Sequence, residues 1–193
     1  MVDQSRRDQL LIKAAHLFSK KGYHATTMKD IAAELEILPG SLYHHIDSKE
    51  SLLLEIMELC IQALLKQVRP VVASDLSPIE KIREIVCIHI KMILSHPDML
   101  TVFLHEMKSI PKEKRLQQIE LRAEYNYLLK RVIEEGVASG DFRPLHPGMA
   151  SFAILGMLNW LYTWYRSTGS LTPTEITNEY LAFVMHGLIK NDS

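Results

Sequence analysis

The sequence has little cysteine, no long apolar run and no excess of charge of either sign. Its two cysteines, Cys60 and Cys87, are too few and too far apart for a disulfide scaffold or a CxxC metal or redox site. The most apolar stretch, 149–165, contains polar residues and is shorter than the roughly 20 residues that a membrane-spanning helix needs. The N-terminus lacks the apolar segment of a signal peptide. We therefore expect a soluble cytoplasmic protein with no membrane partner.

Signatures of catalysis and of metal binding are missing as well. The sequence contains no glycine-rich phosphate loop, no GxSxG element and no convincing pair of catalytic carboxylates. His89, His96 and His105 lack the close spacing and the supporting cysteines or carboxylates of a zinc site. We therefore expect that the protein is not an enzyme and uses no cofactor and no metal.

The remaining pattern is helical throughout. Apolar residues recur at helical spacing, and capping residues open segments at Thr27, Ser77 and Thr172. No segment alternates between apolar and polar residues as a strand in a hairpin would. The sequence therefore predicts an all-α fold with about nine helices. After a first helix that ends before Gly22, the predicted helices are 28–35, 39–45, 48–70, 78–96, 98–108, 111–139, 147–166 and one that follows Thr172.

Two of the predicted helices, 28–35 and 39–45, are too short to be stable alone, since isolated helices below about 12–15 residues are marginal. They must pack against each other and against the first helix. Ala32 permits a close crossing, and Ile31 and Leu42 supply apolar contacts. Two short helices joined by a short connection are typical of a helix-turn-helix, whose second helix enters the major groove of DNA.

The outward positions of the second short helix suit this interpretation, because Ser41, Tyr43, His44 and His45 all carry hydrogen-bonding groups. Upstream, residues 5–29 contain six basic side chains and one acidic side chain. Local basic charge holds a protein on the phosphate backbone. The same charges also fit an ordinary solvated surface. The basic residues are Arg6, Arg7, Lys13, Lys20, Lys21 and Lys29.

Three stretches carry a family resemblance: 22–32 (GYHATTMKDIA), 40–45 (GSLYHH) and 48–53 (SKESLL). In this order and at these spacings they closely resemble the N-terminal region of the TetR/AcrR family of bacterial transcriptional regulators. The resemblance implies a homodimer that binds a double-stranded DNA operator. It also implies a DNA-binding domain, 1–49, followed by a domain for effector binding and dimerisation, 50–193.

The resemblance also assigns roles to single residues. Thr27 matches the residue that caps the second helix and bonds a DNA phosphate, and Tyr43 and Lys49 match two further phosphate contacts. Ser41 and His44 match positions that face the groove. The DNA-binding residues predicted in this way are Thr27, Lys29, Gly40, Ser41, Tyr43, His44 and Lys49.

The sequence departs from the family pattern at three positions. Glu36 stands where the family usually has the glycine of the turn, and Leu38 stands where a Ser or Thr commonly caps the recognition helix. Loss of such a cap costs about 0.5–2 kcal/mol. Ile46 replaces a usual phenylalanine, which we expect to alter packing rather than DNA contacts.

The C-terminal part resembles a narrower group within the family. The stretches 136–143 (GVASGDFR), 156–166 (GMLNWLYTWYR) and 171–175 (LTPTE) look like those of TetR-type repressors of fatty-acid and steroid degradation. That resemblance implies an acyl-CoA thioester as effector. An aromatic or xenobiotic effector, as in efflux regulators, is the alternative within the family. From a different class, an all-α scaffold or enzyme without DNA binding also fits the near-neutral charge.

Methionine and aromatic residues in the C-terminal part suit an apolar effector pocket between helices. We predict that Phe103, Met107 and Trp160 line this pocket. The alternative is that they are buried in the core or at a dimer interface. The last two helices each present an apolar face, as a four-helix dimer interface requires. Burial of these faces within the monomer is the competing explanation. The predicted interface residues are Phe152, Leu155, Leu158, Leu161, Leu181, Val184, Met185 and Leu188.

Overall fold

The computed structural model describes residues 2–44, 46–166 and 168–190, and His45 and the side chain of Arg6 lie outside the described part. Over these ranges the protein is all-α, as predicted, and its only extended pairing is an isolated bridge between Phe142 and Ile189. A short 3-10 helix, Glu106–Ser109, follows the sixth α-helix. The α-helices of the described residues are α1 (Val2–Lys21), α2 (Met28–Glu34), α3 (Pro39–Tyr43), α4 (Lys49–Ala73), α5 (Pro78–Ser95), α6 (Pro97–His105), α7 (Lys112–Ser139), α8 (Pro147–Trp164) and α9 (Pro173–Leu188).

The predicted capping residues open their helices by reciprocal bonds between side chain and backbone. At α2 the Asp30 amide donates to Thr27 Oγ1 at 3.1 Å, and the Thr27 amide donates to Asp30 Oδ2 at 2.8 Å. The same box opens α9, where Thr172 pairs with Glu175. These boxes satisfy amides that a helix start would otherwise leave without partners.

Helix α4 is longer than predicted. The predicted helix ends at Pro70, but the observed helix continues through this proline to Ala73. A proline lacks only its own amide donor and strains the turn that precedes it. The last turn can therefore still form beyond Pro70.

The chain forms two compact units. The first spans Met1–Gln62 and His96–Ile119, and the second spans Ala63–Ser95 and Glu120–Ser193. The first unit is larger than the predicted DNA-binding domain because α6 and the start of α7 belong to it. Compactness does not test where DNA and effector bind, so the functional division at residue 49 stays a prediction.

In the first unit, α1 packs against α6 through a polar contact as well as through apolar side chains. Asp98 accepts hydrogen bonds from the Ser19 hydroxyl at 2.5 Å and from His16 Nδ1 at 2.8 Å. Phe18 and Leu100 are buried in the core of this unit. The three-helix region that carries α2 and α3 is thus anchored to an element that lies far along the chain.

In the second unit, α5 packs against α8 and α9, and a polar trio lies within the core. His89 Nε2 is 3.2 Å from Asn159 Oδ1, and the Tyr125 hydroxyl is 2.8 Å from His89 Nδ1. Burial lowers the pKa of His89 to about 4, so the ring is neutral at pH 7. A neutral ring that donates to Asn159 can accept from Tyr125, which satisfies both ring nitrogens.

No single helix of the described residues is long and apolar enough to cross a membrane. Helix α5 and the following segment 97–109 meet the criteria of length and composition only as a pair, bent by 102°.

Candidate DNA-binding surface and effector-binding unit

The turn between α2 and α3 has the geometry of a Schellman motif. The Ile37 amide donates to the Ala32 carbonyl and the Glu36 amide to the Ala33 carbonyl, each at 3.0 Å. Glu36 occupies this turn with a φ of 57°, in the left-handed region that favours glycine. The chain therefore makes the turn that the family usually makes with glycine, at the expense of backbone strain at Glu36.

The predicted recognition helix, α3, is held by apolar side chains on its inner side. Leu42 is fully buried, and Ile46 after the helix is buried as well. This agrees with the expectation that Ile46 affects packing. The outer side is exposed, and the structure brings four predicted DNA-binding residues together there. They are Gly40, Ser41, Tyr43 and His44.

Leu38 precedes α3 as its N-cap, and its side chain makes no capping hydrogen bond. The side chain is 78% exposed, more than that of any other large apolar residue of the described part. The missing cap was predicted from the family pattern, which implies no role for the leucine itself.

Thr27, the predicted phosphate ligand at α2, is exposed and its hydroxyl donates to Asp30 Oδ2 at 2.6 Å. The Thr27 hydroxyl and amide, together with Lys21, lower the pKa of Asp30 to about 2. Asp30 is therefore ionised over the whole physiological range. Lys29 is exposed on the same helix, and no contact to another described residue is seen for its ammonium group.

The ammonium group of Lys49, predicted to bind a DNA phosphate, makes hydrogen bonds within the protein. Its ammonium group donates to the backbone carbonyls of Thr26 at 2.7 Å, Tyr23 at 2.8 Å and His24 at 3.4 Å. It also lies 4.5 Å from the centre of the Tyr23 ring. A lysine has three donors, and these carbonyls take all of them. In this conformation Lys49 connects the start of α4 to the turn that precedes α2.

Three of the six upstream basic side chains are paired with carboxylates within the first unit. Charges that are neutralised by neighbouring carboxylates contribute less to the attraction of a phosphate backbone. The ion pairs are Arg7 with Glu55, Lys20 with Asp98 and Lys21 with Asp30. Lys13 donates to the backbone carbonyl of Glu34 and keeps its charge. The basic surface that the sequence analysis left open is therefore smaller than the residue count indicates.

The eight residues predicted for the dimer interface differ in their burial within the protomer. Five of the eight residues are buried inside the protomer because α8 and α9 use their most apolar sides to pack onto the second unit. Leu155 and Leu181 are half-buried and Phe152 is exposed. The five buried residues are Leu158, Leu161, Val184, Met185 and Leu188.

A second apolar face of α8 points away from the core. Its members follow each other at spacings of three or four residues, so they share one side of the helix. Trp160 is 63% exposed, and Phe183 on α9 is 68% exposed. The exposed face of α8 consists of Met149, Phe152, Gly156, Trp160 and Trp164.

The three predicted pocket residues do not share one compact unit. Phe103 is buried in α6 and Met107 is half-buried in the 3-10 helix, and both belong to the first unit. Trp160 belongs to the exposed face of α8 in the second unit. The assignment of these three residues to one effector pocket stays a prediction.

A groove in the second unit runs between α5 and α9. It consists of a cavity of about 700 Å³ and a cavity of about 440 Å³, and Asn178 lines both. Arg83 and Lys190 contribute to the first cavity and Lys91 to the second. None of the described lining residues is acidic. This groove was not predicted from the sequence, although Arg83 and Lys91 lie eight positions apart on one side of α5.

The described residues contain no group of three or more His, Cys, Asp or Glu side chains that could hold a metal ion.

Both halves of the chain match known families. Residues 10–56 match the family described as bacterial regulatory proteins, tetR family. Residues 75–188 match a family described as tetracyclin repressor-like, C-terminal domain.

Similarity to known proteins extends over nearly the whole chain. The HTH-type transcriptional repressor KstR2 of Rhodococcus jostii (strain RHA1) is 36% identical over 185 residues, or 95% of this chain and 91% of that protein. The structure of the ketosteroid transcriptional regulator KstR2 of Mycobacterium tuberculosis superposes with a TM-score of 0.90, at 29% identity and 96% coverage of each chain. A structure of AibR in complex with isovaleryl coenzyme A and operator DNA has a TM-score of 0.83 at 29% identity, and covers 92% of this chain and 97% of that one.

The helix-turn-helix of the first unit and the helical second unit define the class of DNA-binding transcriptional regulators. The protein is a ligand-responsive repressor of this class. It belongs to the TetR family.

Proposed function

We propose that the protein binds a pseudo-palindromic operator as a homodimer, with α3 of each protomer in a major groove, and that an acyl-CoA thioester releases it. The observation that carries this proposal is the exposed, hydrogen-bonding side of α3 in a chain similar to KstR2 along nearly its whole length. Residues 1–49 would bind DNA, and residues 50–193 would bind the effector and the second protomer.

The proposed contacts to DNA are of two kinds, contacts to base edges and contacts to phosphates. Ser41 and His44 can donate to or accept from base edges, and we therefore assign to them the selection of the operator. Tyr43 and Lys29 are exposed donors suited to phosphates, which bind DNA without regard to its sequence. Lys49 supports binding from within the protein, because it holds the turn before α2 by three hydrogen bonds.

The homodimer rests on the exposed apolar face of α8 together with Phe183 on α9. Large contiguous apolar surfaces on a monomer usually mark an interface. The four-helix arrangement that the sequence predicts would use α8 and α9 of each protomer. Its contacts would come from the outward face around Trp160 and not from the buried residues around Leu158.

The acyl-CoA effector is supported by the AibR complex with isovaleryl coenzyme A and by the α5–α9 groove. Coenzyme A carries several phosphate charges, and Arg83, Lys91 and Lys190 line the groove without a neighbouring acidic side chain among the described lining residues. Apolar lining residues such as Leu94 and Met185 suit the less polar part of the ligand. We therefore place the phosphates of the thioester along α5.

Release from DNA requires that the effector binds one conformation better than the other, because a ligand with equal affinity for both shifts nothing. Helix α4 begins at Lys49 and contributes residues to both compact units. A shift of this helix would change the separation of the two recognition helices in a dimer. Reciprocity then demands that operator DNA weakens effector binding by the same factor.

Isothermal titration of the full-length protein with saturated acyl-CoAs of increasing chain length tests the effector, with free CoA and free fatty acids as controls. We expect binding that requires the thioester and depends on chain length. The best ligand should then lower the operator affinity in a fluorescence anisotropy titration. An acyl-CoA that saturates the protein and leaves operator affinity unchanged would contradict the release mechanism. No binding by any acyl-CoA would favour an aromatic or xenobiotic effector.

A pair of charge reversals tests the groove. Lys91→Glu should weaken acyl-CoA binding at least tenfold, because it places a negative charge beside the phosphates. Lys66→Glu is the matched control, since Lys66 is exposed in the second unit and does not line the groove. Equal effects of the two variants would show that the phosphates bind elsewhere.

A further inference from the structure

Leu38 is an apolar side chain placed where a polar one would be expected. It occupies the N-cap of α3, makes no capping hydrogen bond and is 78% exposed. Its neighbours on the outer side are Pro39, Gly40 and Ser41, which are also exposed. No described contact within the protein explains the leucine at this position.

The surroundings leave the leucine side chain accessible from outside. Pro39 fixes the backbone at the first position of the helix. A Cβ atom at Gly40 would meet nothing within 4 Å, so the surface beside the leucine is open. In a helix-turn-helix, the residues at the start of the recognition helix are those that reach the base edges.

The chemistry of leucine narrows the feature of DNA that it can recognise. The side chain can neither donate nor accept a hydrogen bond, so it cannot bond a phosphate or the polar edge of a base. The apolar group that bases present in the major groove is the C5-methyl of thymine. We propose that Leu38 packs against this methyl group and thereby selects thymine at one position of each operator half-site. The inference rests on the proposed placement of α3 in the major groove.

Uracil-substituted operators test this directly, because deoxyuridine keeps the base pairing of thymidine and lacks only the methyl group. The full-length protein is first used to select its operator from a random DNA library. Each thymine of one half-site is then replaced by deoxyuridine, and binding is measured by fluorescence anisotropy. We expect one replacement to weaken binding about fourfold, as the loss of one buried methyl group would, and the others to have little effect.

Leu38→Ser identifies the side chain that is responsible. Serine is a favoured N-cap, so this variant should fold at least as well as the original protein. It should bind the thymine and deoxyuridine operators with equal affinity. Leu116→Ser is the control, since Leu116 is 63% exposed in the first unit but lies on α7, and it should keep the fourfold difference.

Two results would overturn the inference while leaving operator binding intact: no single deoxyuridine weakens binding, or Leu38→Ser still discriminates against deoxyuridine. Failure to select any operator would instead contradict the placement of α3 in DNA, and with it the inference. The same titration series therefore separates an error about Leu38 from an error about the DNA-binding surface.

Discussion

Glu36 carries the most evident strain of the DNA-binding region, since it is the one non-glycine residue of the described part with a positive φ, at 57°. Replacement by glycine relieves the clash of Cβ in the left-handed region, worth about 1–2 kcal/mol, at the cost of a more flexible unfolded chain. We expect Glu36→Gly to raise the free energy of unfolding by about 0.5–1 kcal/mol, measured by urea denaturation. Glu34→Gly, at an ordinary helical position, should lower it by a similar amount. Destabilisation by both variants would contradict the strain at Glu36.

His89 makes stability depend on pH. Its pKa is near the ordinary 6.5 in the unfolded chain and about 4 in the folded protein. Between these values the unfolded chain binds the extra proton, so stability is complete above pH 6.5 and falls as the pH drops towards 4. We expect a loss of about 2 kcal/mol between pH 7 and pH 5 from this group.

Urea denaturation at both pH values measures this loss, and His89→Gln serves as the comparison because glutamine cannot titrate. The variant is expected to be less stable at pH 7 but to lose about 2 kcal/mol less than the original protein on going to pH 5. The same pH dependence in both proteins would show that His89 is not the group responsible.

At the scale of elements, Lys49 joins the first turn of α4 to the backbone that precedes α2. Three carbonyls and the Tyr23 ring surround its ammonium group. Hydrogen bonds to charged groups contribute more to stability than neutral ones. We expect Lys49→Ala to lower the free energy of unfolding by about 1.5–3 kcal/mol.

Lys29→Ala is the matched control for Lys49, because Lys29 is exposed on α2 and no contact to another described residue is seen for its ammonium group. We expect it to change stability by less than about 0.5 kcal/mol. It should instead weaken operator binding and make the salt dependence of binding less steep by about one phosphate contact. If Lys49→Ala gave this second pattern with unchanged stability, Lys49 would be a phosphate ligand as the resemblance implies.

At the scale of the whole molecule, the proposed assembly depends on the outward face of α8 and on Phe183. A glutamate in an apolar interface would leave a charge without a partner, which opposes association. We expect Trp160→Glu and Phe183→Glu each to shift a dimer to monomers in sedimentation velocity experiments. Leu116→Glu, with the same 63% exposure as Trp160 but on the first unit, should remain dimeric.

Operator binding gives a second measurement on the same variants. A dimer that contacts two half-sites loses most of its affinity when it dissociates, because each half-site then has to be bound separately. Monomeric Trp160→Glu should therefore bind the operator much more weakly than Leu116→Glu. Dimeric Trp160→Glu and Phe183→Glu with full operator affinity would require a different interface.

Much of the fold follows from local features of the sequence, because a helix start depends on residues three positions apart. The helix starts at the capping residues Thr27 and Thr172 were predicted and are confirmed, as is the all-α class. The predicted end of α4 was wrong, since Pro70 was expected to stop a helix that continues to Ala73. A proline weakens a helix locally, and packing along the rest of α4 decides whether the last turn forms.

The sequence by itself determined the helical class, the helix-turn-helix and the family, because these depend on periodicity, caps and a linear motif. The tertiary structure decided which apolar side of each helix is covered. Leu158 was predicted for the dimer interface and Trp160 for the effector pocket, yet Leu158 is buried in the protomer and Trp160 is exposed. It also decided that Lys49 bonds backbone carbonyls. Such assignments depend on residues distant along the chain, and no local pattern records which distant group a side chain will meet.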